Sequence, residues 1–266
     1  MNFGFNFCSF VYSINNQSLI TMKKLLIFVV LAGWALLGLA QDQESSTLER
    51  KNVVKFLPIN LPFQSISFEY ERMINAKNSI ILGVGLPNQK SLIGKYGIKD
   101  DKELKSAELG TMHIRAAYRH YTGKRMLPKG FYIEPYLKYQ KITGKANAEF
   151  TDDQDNTYDA GIDVNLNTMN LGFQLGTQFL IAKRVSLDFY FLGLEAGFLN
   201  GNVTGKAPNE TFAANLKTEM DKSIADLPSF IGKKLSVTQS GDEVNVKASS
   251  IPYPWYRCGI SIGIAF

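Results

Sequence analysis

The last eleven residues alternate without a break. Tyr256, Cys258, Ile260, Ile262, Ile264 and Phe266 fall on one face, and Arg257, Gly259, Ser261, Gly263 and Ala265 on the other. Period two is the signature of a strand. The same alternation recurs upstream. Phe131, Ile133, Pro135, Leu137 and Tyr139 oppose Tyr132, Glu134, Tyr136 and Lys138. Met169, Leu171, Phe173, Leu175 and Phe179 oppose Asn170, Gly172, Gln174, Gly176 and Gln178. Val185, Leu187, Phe189 and Phe191 oppose Ser186, Asp188 and Tyr190. Met112, Ile114, Ala116 and Tyr118 oppose His113, Arg115, Ala117 and Arg119, and Ile66, Phe68 and Tyr70 oppose Ser67, Glu69 and Glu71. A chain written this way folds all-β, as a sandwich with apolar faces inside or as a membrane barrel with apolar faces outside.

Alternation alone does not separate the two, but three further features favour the barrel. The strands suit the roughly 9–11 tilted residues of one membrane crossing. Glycines gather on the polar face, where a narrow lumen would crowd side chains. The chain ends on an aromatic, Phe266, on the apolar face. The expectation is a single antiparallel transmembrane barrel of about eight strands: 53–61, 65–73, 79–86, 110–121, 130–142, 164–180, 184–199 and 253–266. An even strand number is usual for such barrels. Connections 74–78, 122–129 and 181–183 are short. Segments 87–109, 143–163 and 200–252 are long and share the opposite end with the short 62–64, as short periplasmic turns and long outer loops require. Pro58 and Pro62 interrupt the first strand. In the longest loop, Asn209 can cap a helix reaching about Leu227, with Phe212, Leu216, Met220 and Ile224 on one stripe. After it, 235–238 and 244–246 flank Ser240-Gly241-Asp242 as a hairpin. That loop reads as an outer cap or a partner-binding lid.

The N-terminus fits export. Met22-Lys23-Lys24 precedes an apolar run from Leu25 to Leu37, then Gly38-Leu39-Ala40. This is the plan of a cleavable signal peptide, cut after Ala40, and the run is short for a membrane anchor. The expected organisation is an over-extended start at 1–21, a signal peptide at 22–40, a short periplasmic segment at 41–51 and the barrel at 52–266. The expected location is the bacterial outer membrane. Composition closes other routes. A chain 45% hydrophobic and 20% charged is not disordered. A net charge of +5 with no basic block gives no reason to expect nucleic acid. Two cysteines (Cys8, Cys258) and two histidines (His113, His120) make neither a disulfide framework nor a zinc site.

With signal peptide, alternating strands and terminal Phe266 together, the chain resembles small eight-stranded outer-membrane barrels of the OmpA/OmpX type. It is most similar to the uncharacterised barrels of this size from Bacteroidetes, whose opening hairpin Ser67-Phe68-Glu69-Tyr70-Glu71-Arg72 resembles. The resemblance covers about residues 52–266. It implies a structural, adhesive or unknown role, with Phe266 as the assembly signal read by the barrel-assembly machinery. The implied surroundings are outer-membrane lipid and lipopolysaccharide, and the extracellular partner is left unspecified.

Parity places Glu69, Glu71, Arg115, Arg119, Glu134, Lys138, Asp188 and Arg257 on the inward face. Unpaired burial of a charge costs several kcal/mol, and eight strands leave an interior just wide enough for side chains. The expectation is a salt-bridged plug, with a narrow pore for small solutes as the alternative. Antiparallel pairing of 110–121 with 130–142 sets Arg119 opposite Glu134 and Arg115 opposite Lys138, so a further carboxylate is expected near Arg115. A lipid-modifying enzyme is the remaining class. His120-Tyr121-Thr122 is its best candidate, but it falls at the periplasmic end with no carboxylate to orient the ring, and no enzyme and no cofactor are expected. His113 is expected inside as a hydrogen-bonded lumen residue. Asp152, Asp153, Asp155, Asp159 and Asp163 crowd one loop, but the calcium-loop spacing fails at Tyr158 and Val164. Gly83-Val84-Gly85 has no following helix and is not a phosphate loop.

Overall fold

The computed structural model describes residues 50–88, 90–91, 104–122, 128–151 and 157–266. The expected signal peptide, the start before it and most of the segment 41–51 lie outside the described residues. Among the described residues, eleven strands join one sheet. They are β1 (Asn52–Phe56), β2 (Ser65–Met73), β3 (Asn78–Pro87), β4 (Lys90–Ser91), β5 (Leu104–Tyr121) and β6 (Gly130–Thr151). β7 (Thr157–Ile181), β8 (Val185–Lys206), β9 (Leu235–Ser240), β10 (Glu243–Pro252) and β11 (Trp255–Ala265) follow. Eight of them close a ring, β1-β2-β3-β5-β6-β7-β8-β11 and back to β1, and every pairing is antiparallel. The ring shuts where the two ends of the barrel meet: Asn52 N donates to Phe266 O at 3.1 Å and Phe266 N to Asn52 O at 2.9 Å. Closure matters physically, because a barrel leaves no unpaired edge inside its wall.

The wall is uneven in height. β2 and β3 are 9 and 10 residues long, whereas β6, β7 and β8 run to 22, 25 and 22. The long strands exceed the expected bounds, taking in 104–109, 143–151, 157–163 and 200–206. The reason is chemical. From Gln140 to Asn147 the residues are polar or small except Ile142, so the apolar/polar contrast that reveals a strand is gone. The backbone ladder continues regardless, through Thr151↔Thr157. β1 is shorter than the expected 53–61. Pro58 brings no N–H to the ladder, and the chain turns through a short 3₁₀ helix at Pro58–Asn60.

Above the ring the tall strands and β10-β9 form an open sheet. On it lies α1 (Glu210–Ala225), capped by the Asn209 side chain, which accepts from Phe212 N at 2.8 Å. A four-residue helix, α2 (Ser229–Gly232), follows. Ala213, Leu216 and Met220 of α1 pack against Ala207, Val237 and Val244. Leu216 and Met220 of the expected stripe thus face inward, but Phe212 does not: it is 52% exposed and Ala213 takes the buried place. The hairpin turns at Gly241-Asp242, between Ser240 and Glu243, with Gly241 at φ +61°.

The faces are assigned as in a membrane barrel. On β3, Ile80, Leu82, Val84 and Leu86 are 44–57% exposed, while Ser79 and Ile81 are fully buried. On β2, Phe68 is exposed and Ser67, Glu69 and Glu71 are buried. The interior is polar and the exterior apolar, the reverse of a water-soluble core.

Candidate functional site

The interior is built from rows of residues that run from strand to strand through the ladder. One row reads Gly263, Lys55, Glu69, Gly83, Arg115, Lys138, Asn170 and Gly197. Large side chains lean over the glycines in their row. Glu69 and Arg115 meet above Gly83, Tyr136 lies over Gly172, Tyr132 over Gly176 and Arg257 over Gly193. The inward glycines are therefore the floor on which long side chains cross from one strand to the next.

At the end of the barrel with the short turns, Lys55 Nζ sits 2.7 Å from Glu71 Oε2 and 2.8 Å from Asp188 Oδ2. Arg119 Nη1 reaches the same Asp188 oxygen at 2.8 Å, and Arg119 Nε donates to Glu134 Oε2 at 2.5 Å. The Tyr132 ring lies 3.6 Å from the Arg119 guanidinium and its hydroxyl donates to Asp188 Oδ1 at 2.7 Å. Tyr121 and Ser79 both donate to Glu71 Oε1 at 2.6 Å. One level up, Arg115 bridges Glu134 and Glu69, at 2.5 and 2.6 Å. Higher still, Lys138 pairs with Glu195 at 2.6 Å, and Tyr136 and Asn170 also donate to that carboxylate, at 3.0 and 3.2 Å.

All eight charges expected inside face the interior. Arg119 and Glu134 touch, Arg115 stands opposite Lys138 in register, and Glu69 is the additional carboxylate at Arg115. Arg257 differs from the rest: it rests against Tyr190 and Tyr136, with 4.8 and 5.4 Å to the ring centres, and among the described residues no carboxylate forms an ion pair with it. Two interior charges were not among those eight. Lys55 sits on the strand broken by prolines. Glu195 is odd-numbered on a strand whose inward residues begin even, at Ser186, Asp188 and Tyr190. A bulge reverses the parity: β7 pairs Gly176 with Tyr190 but Leu175 with Leu192, leaving Phe191 as the extra residue. The adjacent apolar pair Phe191-Leu192 was the readable sign of it. With these two, five cations (Lys55, Arg115, Arg119, Lys138, Arg257) face five carboxylates (Glu69, Glu71, Glu134, Asp188, Glu195).

The other candidates fall apart in space. His120 is outside and exposed, its Nδ1 2.7 Å from Asn78 Oδ1. His113 is inside, packed on Gly85, and among the described residues nothing hydrogen-bonds its ring, contrary to expectation. Asp152, Asp153 and Asp155 lie outside the described residues, the Asp159 side chain is likewise not described, and Asp163 pairs with Lys145 on the surface at 3.7 Å. Gly83-Val84-Gly85 is plain strand. Among the described residues no group of three His, Cys, Asp or Glu is placed to hold a metal ion.

Fold and interior together define a class: a closed, eight-stranded antiparallel barrel with an apolar exterior and an ionic interior. Comparison goes no further than that class, since no protein-family model, curated protein or solved structure matches the chain.

Proposed function

We propose that this chain is an outer-membrane barrel protein whose lumen is closed by its own charges, with a structural or surface-interaction role. The observation that carries the reading is the inverted distribution of polarity. Leu82, Ile114, Leu137, Leu171, Phe173, Leu194 and Ile264 are 41–68% exposed on the outer wall, while Arg119, Glu134, Lys55 and Glu71 are fully buried within. In water such an exterior far exceeds the few hundred Å² of apolar patch a monomer usually shows. Lipid removes the conflict.

The apolar stretch of β6, Phe131 to Tyr139, matches the roughly 9–11 residues of one crossing. The polar continuation Gln140–Thr151 then stands outside the bilayer, together with the upper parts of β7 and β8, the β9-β10 hairpin and α1. In this reading the projecting sheet is the surface offered to the outside, lipopolysaccharide surrounds the wall, and the assembly machinery engages the C-terminal strand ending in Phe266. The plug is supported by size as well as charge: the interior of eight strands is filled by side chains, here arginines and tyrosines locked by carboxylates.

Two measurements test this. The protein should fractionate with the outer membrane and show heat-modifiable mobility on gels, and recovery as a soluble periplasmic protein would sink the reading. Purified and inserted in planar bilayers, it should conduct little. Large stable channels would refute the plug and favour passage of small solutes.

A further inference from the structure

We propose that the upper lumen, at the end of the barrel with the long connections, binds a small oxyanion through Arg257, the anion being a phosphate or carboxylate group. Four of the five interior cations have a carboxylate oxygen within 2.8 Å. Arg257 has none among the described residues. Guanidinium groups turned into a protein interior are held by anions, because an uncompensated one is costly.

The carboxylates nearest in level are already committed. Glu195 is held by Lys138, Tyr136 and Asn170. Glu69 takes both Nε and Nη2 of Arg115, at 3.1 and 2.6 Å. The charge is therefore divided by height. The lower and middle levels hold four carboxylates against Lys55, Arg115 and Arg119, one negative charge in excess, Lys138 and Glu195 cancel, and the balancing positive charge, Arg257, stands apart at the top with no direct ion pair among the described residues.

The side chain is also held in place. Its stem lies over Gly193, where a Cβ would collide with Arg257 Cγ, and its guanidinium rests on the Tyr190 and Tyr136 rings. A guanidinium fixed by aromatic faces still presents its fork of N–H donors, which matches two oxygens of one phosphate or carboxylate. Arg257, Lys138 and His113 keep part of their surface exposed, the Lys138 side chain 11%, whereas Arg115 and Arg119 below them are 2% and 0% exposed. An anion held at Arg257 would stand above this packed floor and would not pass through it. Anion binding at Arg257 depends only on the interior and not on where the barrel resides.

Calorimetric titration of the purified, folded protein at constant ionic strength tests it, with inorganic phosphate, acetate and dihexanoyl phosphatidic acid (below its micelle concentration) as separate probes. Saturable binding of phosphate or acetate identifies a free anion as ligand. Binding of the lipid alone, or much tighter, identifies a headgroup. Arg257→Gln should weaken the binding by roughly 10-fold or more, the loss expected for hydrogen bonds to a charged group, and Arg257→Lys should retain part of it. Glu195→Gln should tighten it, since Lys138 is then released toward the anion. Absence of saturable binding for all three probes overturns the proposal, as does an Arg257→Gln protein that binds like the parent. Should Arg257→Gln fail to fold, an unchanged or weaker affinity in Glu195→Gln overturns it equally.

Discussion

Glu134→Gln is expected to destabilise the barrel by about 3–5 kcal/mol, the range for removing one partner of a buried ion pair. Glu134 is fully buried and its two oxygens serve different arginines, Oε1 accepting from Arg115 Nη1 and Oε2 from Arg119 Nε. Glutamine keeps the shape but removes the charge and turns an NH2 toward one guanidinium, so a donor faces a donor. Arg115 retains Glu69, and Arg119 retains Asp188, which is why the loss stays within that range. Urea titration of the folded protein, followed by the fluorescence of Trp255, measures it. Combining Glu134→Gln with Arg119→Leu should cost less than the sum of the two single changes, because the stranded charge leaves with its partner. Asp163→Asn supplies the contrast: its partner Lys145 is 3.7 Å away and both side chains are more than 60% exposed, so the change should stay within about 0.5 kcal/mol. Equal effects at Glu134 and Asp163 would show that the interior is open to water and that the plug does not exist.

What the sequence disclosed and what it hid follow from one fact. Alternation is visible only where the two faces of a strand meet different media. Along Phe131–Tyr139 one face is apolar and the other carries Glu134 and Lys138, so strand, face and even the Arg119–Glu134 contact are readable. Along Gln140–Thr151 only Ile142 and Phe150 are large and apolar, the rest being polar or small, so no alternation separates a strand from a loop there. The bounds of β5 to β8 were accordingly out of reach. Parity arithmetic also assumes an unbroken pleat, and the extra residue Phe191 flips everything after it, which is how Glu195 comes to lie inside. Lys55 shows a different limit. Its strand has five residues, too few for a pattern, and its inward position is fixed by pairing with β11 and β2 rather than by its neighbours in sequence.

Gly172→Ala is expected to destabilise the barrel by about 1–3 kcal/mol, the usual cost of overpacking, although it adds a single methyl group. Gly172 stands between Tyr136 on β6 and Glu195 on β8, and the Tyr136 ring passes over it so that its hydroxyl donates to Glu195 at 3.0 Å. A Cβ at position 172 would overlap Tyr136 Cζ and Cε2. To make room, the ring would have to lift away from the carboxylate and from Arg115, which lies 5.0 Å from its centre. The relief of overpacking is therefore specific: in a Tyr136→Ala background, Gly172→Ala should cost almost nothing, with a coupling of about 0.5–3 kcal/mol between the two sites. Gly205, on the neighbouring strand β8 and in the open sheet, is the matched control. A Cβ there would meet only Val244 O, at 3.9 Å, so Gly205→Ala should be close to neutral. If Gly172→Ala behaves as Gly205→Ala does, the tyrosine does not lie across the floor of the lumen, and the account of the interior as long side chains laid over glycines is wrong.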